Sequence, residues 1–353
     1  MLVVVGLIVV GLTAAVISVS YWNARTAAPL VKRPDSKPKA ADEALEKLQD
    51  YYGHARQKKL YDAIIDRARE QVDRFPEHAP SHNFLALALS EAGHLQEAFD
   101  RVKLSLELDK GQAQMQFTAG VLATKLDKLK PALAHYGQAV SLGGDKPIYR
   151  VHLAMVHIEL QRYDRARMLL LQAVRQDSNL EDAHFGLSQL YFVQNNLSLA
   201  LEQIDKAIRR TPISKRDKQI KYIRHKSAIL RRHNRWMDAL AVLEALTDEE
   251  RLDAAVMEEM AVSWLNVGRP EEGALLYERA LALNPASLTC AAGAARWRIQ
   301  AGDLDTAQRH IARAREINPR AKQVAQIQEK LDRTGAEADA TAAAGVVDEG
   351  GGE

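Results

Sequence analysis

The chain has 353 residues, 47% apolar and 27% charged, which is a globular composition rather than a disordered one. Its 48 Lys plus Arg against 46 Asp plus Glu leave a net charge of +2, which excludes a polycation that coats nucleic acid through bulk charge. A single cysteine, Cys290, excludes an intrachain disulfide framework, a four-thiolate zinc site and a CxxC redox pair, while sparse Gly and Pro and the scarcity of alternating apolar runs point to an all-α chain.

Met1 through Trp22 contain no Asp, Glu, Lys or Arg. At about 1.5 Å per residue such a helix spans roughly 33 Å, enough for a bilayer core of about 30 Å. Residues 1–22 therefore predict one transmembrane anchor. Tyr21 and Trp22 fall at the headgroup level, and Arg25, Lys32, Arg33, Lys37 and Lys39 follow with Asp35 as the acid among them. A cleaved secretory signal is the alternative, although such a signal carries Lys or Arg ahead of its apolar stretch and none precedes this one. The positive-inside bias places the rest of the chain on the cytoplasmic side of a bacterial inner membrane, with a periplasmic placement as the alternative. Residues 23–42, with Pro29, Pro34 and Pro38 among mixed charges, predict a flexible juxtamembrane linker.

A period dominates residues 43–320. Small residues recur at Ala98, Ala132, Ala166, Ala200, Ala239, Gly273 and Ala307, with spacings of 34, 34, 34, 39, 34 and 34. Seven residues after each stand Ser105, Ala139, Ala173, Ala207, Leu246, Ala280 and Ala314, two helical turns on and nearly on the same face. Small side chains so placed let neighbouring helix axes approach closely. Five residues ahead of each small residue stand Gly93, Asp127, Gln161, Asn195, Asn234, Gly268 and Gly302. Six of those seven belong to types that enter the left-handed conformation cheaply, as the end of a first helix requires before a short turn. Pro76, Pro212, Pro285 and Pro319 close the second helices. The unit is helix, turn, helix, stop.

This pattern resembles the tetratricopeptide repeat. The seventh repeat carries Ala261, Trp264, Gly273, Tyr277, Ala280 and Pro285, and the fifth carries Leu187, Ser188, Tyr191, Ala200, Ala207 and Pro212. About eight repeats fill the span, the first degenerate with Ile64 and Gln71 in the alanine columns and the sixth weakened by Leu246. The resemblance implies a right-handed α-solenoid whose first helices line a concave binding surface. Residues 321–333 predict a C-terminal capping helix with Val324, Ile327 and Leu331 on one face, and residues 334–353 a disordered acidic Ala/Gly tail. An anchor, a basic flank and cytoplasmic repeats are similar to the layout of a bacterial family of lipopolysaccharide-assembly regulators, whose four-cysteine rubredoxin-like module has no counterpart in a chain with one cysteine.

No motif for catalysis emerges: there is no HExxH, GxxxxGK, GxGxxG or GxSxG, and Pro80 between His78 and His82 marks a helix start rather than a two-histidine metal face. The expectation is no enzyme, no catalytic residues, no cofactor, no metal and no small-molecule substrate. Two surfaces remain. Positions five, nine and twelve of the first helices in repeats three to five read Phe117, Val121 and Thr124, then Val151, Met155 and Ile158, then Phe185, Gln189 and Phe192, an apolar lane suited to a protein or peptide partner. The competing reading is that these side chains pack between neighbouring first helices. The second surface, residues 209–235, holds eleven basic residues against Asp217 and overlaps the one 39-residue step; Lys221, Arg224, Arg231 and Arg232 are its candidate anion-binding residues. The plainer alternative is a solvated segment partly neutralised by Glu244, Asp248, Glu249, Glu250 and Asp253. Aromatics here are limited to Tyr222 and Trp236, so nucleic acid is not the favoured partner. The sequence thus predicts a membrane-tethered scaffold that recruits or organises a protein partner, with envelope or polysaccharide export from the periplasm, or anion or nucleic-acid binding through 209–235, as alternatives.

Overall fold

The structure, a computed structural model, describes residues 36–57 and 60–348. The anchor expected at 1–22 and the linker up to residue 35 lie outside the described residues. Among the described residues no helix is long and apolar enough to cross a membrane.

Eighteen α-helices and no strand are found among the described residues, and the chain divides into two compact units between Leu190 and Tyr191. The first unit holds α1 (Ser36–Gln57), α2 (Tyr61–Arg74), α3 (Ala79–Glu91), α4 (Leu95–Leu108), α5 (Ala113–Lys125), α6 (Leu129–Leu142), α7 (Pro147–Glu159), α8 (Tyr163–Gln176) and most of α9 (Glu181–Val193). The second continues with α10 (Leu197–Arg210), α11 (Arg216–Arg232), α12 (Trp236–Glu244) and a single turn, α13 (Asp248–Arg251). It ends with α14 (Ala254–Asn266), α15 (Pro270–Leu283), α16 (Leu288–Gln300), α17 (Leu304–Ile317) and α18 (Lys322–Asp348).

Each first helix stops for the same reason. Gly93, Asp127, Gln161, Asn195, Asn234, Gly268 and Gly302 all adopt positive φ, between 57° and 89°. At each, the next amide reaches back five residues, as from His94 to the Leu89 carbonyl at 2.8 Å and from Arg162 to that of His157 at 2.8 Å, while the left-handed residue bonds three back. This is the Schellman arrangement, which satisfies carbonyls the helix end would otherwise orphan. Gln161 adopts it without a glycine's freedom, at φ 58°.

In the first unit the small columns are sealed: Ala98, Ala132, Ala139, Ala166, Ala173 and Ser105 are fully buried, and Ser105 Oγ donates to the Ala79 carbonyl at 3.2 Å. The degenerate first repeat solves the same contact differently. Ile64 fills its column, and the buried Gln71 amide donates to the Ala41 carbonyl at 3.2 Å. The second unit buries Ala200, Ala207, Ala239, Ala280, Ala307 and Ala314, and Leu246 enters a cluster with Leu240, Leu243, Val256 and Met260. Large residues seat on glycines of the next first helix. A Cβ on Gly186 would meet Leu170 Cδ2 at 2.5 Å, and one on Gly293 would meet the Tyr277 ring at 2.6 Å.

The 39-residue step is absorbed locally. After Pro212 a 3₁₀ turn, Ile213–Lys215, leads into α11, which has 17 residues where α5, α7, α9, α14 and α16 have 13. The sixth second helix is cut to nine residues, since Thr247 caps α13 with a reciprocal capping box to Glu250.

The first helix begins at Ser36, with Pro38 in its first turn, where a missing N–H costs nothing. The last helix runs to Asp348 through an alanine-rich stretch without proline. Val324, Ile327 and Leu331 of α18 are buried with Ile299, Ile311 and Ala314 and close the last repeat.

Candidate functional site

The predicted apolar lane, which lies in the first unit apart from Phe192, is largely interior. Phe117, Val121, Val151, Ile158, Phe185 and Gln189 are buried, and Met155 and Phe192 are half-buried. The cause is visible at Phe117, whose ring stacks on Tyr149 at 4.8 Å between centroids and meets His152 edge-on at 4.8 Å. Such aromatic contacts hold a side chain in the core instead of offering it to a ligand. The Gln189 Oε1 is buried without a hydrogen-bond donor.

In the second unit the same positions of the first helices include charged Arg224, Arg231, Glu258 and Arg296 beside apolar Ala228, Val262, Leu265, Ala292 and Ile299. On α11, Arg216 pairs bidentately with Glu250 at 2.6 and 2.7 Å, Arg224 donates through Nε and Nη2 to Glu259 Oε1 at 3.1 and 2.8 Å, and Lys226 meets Asp205 at 2.8 Å. Arg232 lies over the Phe192 ring at 4.8 Å, and Arg235 pairs with Asp238 at 2.6 Å. Much of the basic segment is therefore neutralised in place. Of the five acids anticipated for this, Glu250 is the one that reaches the segment among the described residues; Glu259, Asp205 and Asp238 supply the rest. Lys221, half-buried on α11, helps hold the neighbouring His225 neutral: burial first, and then the Lys221 charge, push that imidazole down to about 3.

Arg224 and Arg231 are brought into one charged neighbourhood with Glu258 and Glu259 of α14 and Arg296 of α16. Burial raises the Glu258 carboxyl above its ordinary value, and Glu259 adds to this against the pull of Arg224 and Arg231. The buried Tyr277 hydroxyl is raised by burial and by Glu258, with Arg296 and Arg231 acting in the opposite sense. Arg231 Nε and Glu259 Oε2 are both shut off from solvent without a hydrogen-bond partner. Glu258, Glu259 and Arg296 were absent from the sequence-derived site. Carrying positions five and nine through repeats seven and eight lands on Glu258 and Arg296, and Glu259 is the next residue, so the signal lay in the register.

Among the described residues no cluster of three or more His, Cys, Asp or Glu could hold a metal ion. Cys290 is buried, and burial raises its thiol, which opposes thiolate chemistry.

These features define a class: an array of helix pairs whose second helices seal the repeat contacts and whose first helices present variable side chains. A family model described as tetratricopeptide repeat matches residues 151–213 and 229–287, so these segments are tetratricopeptide repeats. Similar solved structures include a tetratricopeptide repeat protein from Parabacteroides merdae, 16% identical over 70% of this chain and 94% of that one, with a TM-score of 0.58. Yeast Tom70 is 17% identical over 89% of this chain and 67% of its own, with a TM-score of 0.60. At such identities these structures establish the fold alone. No curated protein sequence matches the chain.

Proposed function

We propose that the protein is a scaffold that holds a segment of a protein partner against its first helices, tethered to a membrane through residues 1–22. The observation that carries the binding reading is the division of labour along the repeat: the second-helix columns are buried and, apart from Ile64, Gln71 and Leu246, small, whereas positions five, nine and twelve of the first helices vary from Phe117, Val121 and Ile158 to Arg224, Arg231, Glu258 and Arg296 beside apolar Val262, Leu265 and Ile299. Packing constrains the former, and a ligand constrains the latter. The tether rests on a 22-residue stretch without an ionisable side chain other than Tyr21, followed by five basic residues within 17 positions. Recruitment or assembly at a bacterial inner membrane follows from the two together.

A photo-crosslinking amino acid at Met155 or Arg296 on first helices, compared with Met168 or Arg309 on second helices, tests the binding face in the full chain. Adducts are expected from the first pair. Adducts confined to the second pair would place the binding face elsewhere. Deleting residues 2–22 is expected to release the protein from carbonate-washed membranes, and retention of the shortened chain would refute the tether.

A further inference from the structure

Two second helices of the first unit carry a surface that the repeat contacts do not use. α6 and α8 both pack on α7, and at their ends Gln176 Nε2 donates to the Gly144 carbonyl at 3.2 Å. Their inward faces are committed to the repeat: Ala132, Tyr136 and Ala139 of α6 and Ala166, Leu170 and Ala173 of α8 are buried. Met168, Leu171 and Arg175 fall on the opposite side of α8, as their spacing from Ala166 requires. Met168 is 59% exposed, Leu171 40%, and Leu142, the last residue of α6, 46%.

An exposed leucine by itself is ordinary, but the charge around these three side chains is not. α6 and α8 hold Lys130, Arg165, Arg167 and Arg175 against one acid, Asp164, and that acid lies 3.7 Å from Arg167. Lys130, Arg165 and Arg175 are exposed and form no ion pair among the described residues. The other second helices have at most one of the two features. α4, α12 and α15 expose Leu104, Leu108, Met237, Leu275 and Leu283 but are net acidic, whereas α10 and α17 are net basic and expose no large apolar side chain.

Arginines flanking a methionine and a leucine suit a surface that offers phosphate and hydrocarbon in one plane. The guanidinium heads meet phosphates while the apolar tips enter among headgroups. An anionic bilayer provides both, and its surface potential draws basic side chains that come within a Debye length. A tether at residues 1–22 leaves at most about 45 Å of extended chain before α1 begins at Ser36, which keeps this unit close to the membrane.

We propose that the outward face of α6 and α8 rests on an anionic membrane surface, with Arg165 and Arg175 on lipid phosphates and Leu142, Met168 and Leu171 at the headgroup level. This rests on the reading that residues 1–22 hold the chain at a membrane, and it adds an orientation to the tether: second helices against the lipid, first helices free for the partner.

The test is lipid crosslinking by the full chain reconstituted into two kinds of vesicle, phosphatidylcholine alone and three parts phosphatidylcholine to one of phosphatidylglycerol. A photo-crosslinking amino acid is placed at Leu171 or, as the control, at Leu275 of net-acidic α15, which is 48% exposed. Lipid and protein adducts are separated by mass. In the anionic vesicles at least tenfold more lipid adduct is expected at Leu171 than at Leu275. The Leu171 yield is expected to fall at least fivefold in phosphatidylcholine alone and in the R165E/R175E chain. Equal yields at the two positions or in the two vesicles overturn the proposal, as does a Leu171 yield that survives R165E/R175E. Adducts of Leu171 to a second copy of the chain in place of lipid overturn it too. The thermal transition of R165E/R175E is checked, and should that chain fail to fold, the two vesicles decide alone. Carbonate washing of the same vesicles reads the tether separately. A chain that stays in the bilayer without lipid adducts at Leu171 loses the docking face alone. One that washes off after giving those adducts loses the tether alone, and one that washes off without them loses both.

Discussion

The two units use one repeat to opposite ends. In the first, α3 carries Glu91 as its sole charge and α5 carries Lys125, while Phe117 is gripped by Tyr149 and His152. In the second, α11 alone has seven Lys or Arg, and α14 answers with Glu258 and Glu259. The second-helix columns barely differ between the units. A repeat fold is therefore specified by a few small contact points and a left-handed stop, and the first-helix faces are free to diverge.

The comparison is most severely tested at the glycine seats. Gly293→Ala drives a methyl group into the Tyr277 ring, which cannot yield, and is expected to destabilise by about 1 to 3 kcal/mol by urea unfolding. Gly186→Ala meets the tip of Leu170, which can rotate aside, and the better helix propensity of alanine offsets about 1 kcal/mol, so its midpoint should move far less. Equal losses at both positions would show that ring rigidity does not set the cost. Next in size is the Arg224–Glu259 pair: E259Q should cost about 1 kcal/mol, since the arginine is 36% exposed and solvent screens part of the interaction.

A third probe is pH. His225 titrates near 6.5 when unfolded and near 3 in the fold, so on acidification the unfolded chain takes up the proton first. Its contribution to stability is complete above about pH 6.5 and declines from there toward pH 3. Glu250, lowered to about 2 chiefly by its hydrogen bond from Arg216, contributes above 4.5 and loses that contribution between 4.5 and 2. H225F should therefore flatten the melting-temperature profile between pH 6.5 and 4.5, the window in which Glu250 is silent, and an unchanged slope there would refute the assignment. The smallest effect is a gain: Q161G, at φ 58°, should stabilise by roughly 0.5 to 1 kcal/mol by removing side-chain strain in the left-handed turn.

The repeat architecture was legible because its signals are local: Asn195 or Gly268 marks a stop and Ala200 or Ala207 a contact, whatever surrounds them. The binding face was less so. Position five of a first helix reads as surface in a single repeat, but whether Phe117 faces a partner or a neighbouring Tyr149 depends on a residue 32 positions away. Likewise the sequence offers Glu244, Asp248, Glu249, Glu250 and Asp253 as acids for the basic run from Arg209 to Arg235, but that Glu259 of α14, one repeat further on, meets Arg224 depends on the fold.

Hydrogen exchange on the full chain, alone and with the partner captured by the first-helix crosslinkers, tests the central claim most directly. Slowed exchange is predicted in the first helices α11, α14 and α16. Protection confined to α12, α15 and α17, or none while the partner is bound, would contradict the assignment of the first helices as the binding face.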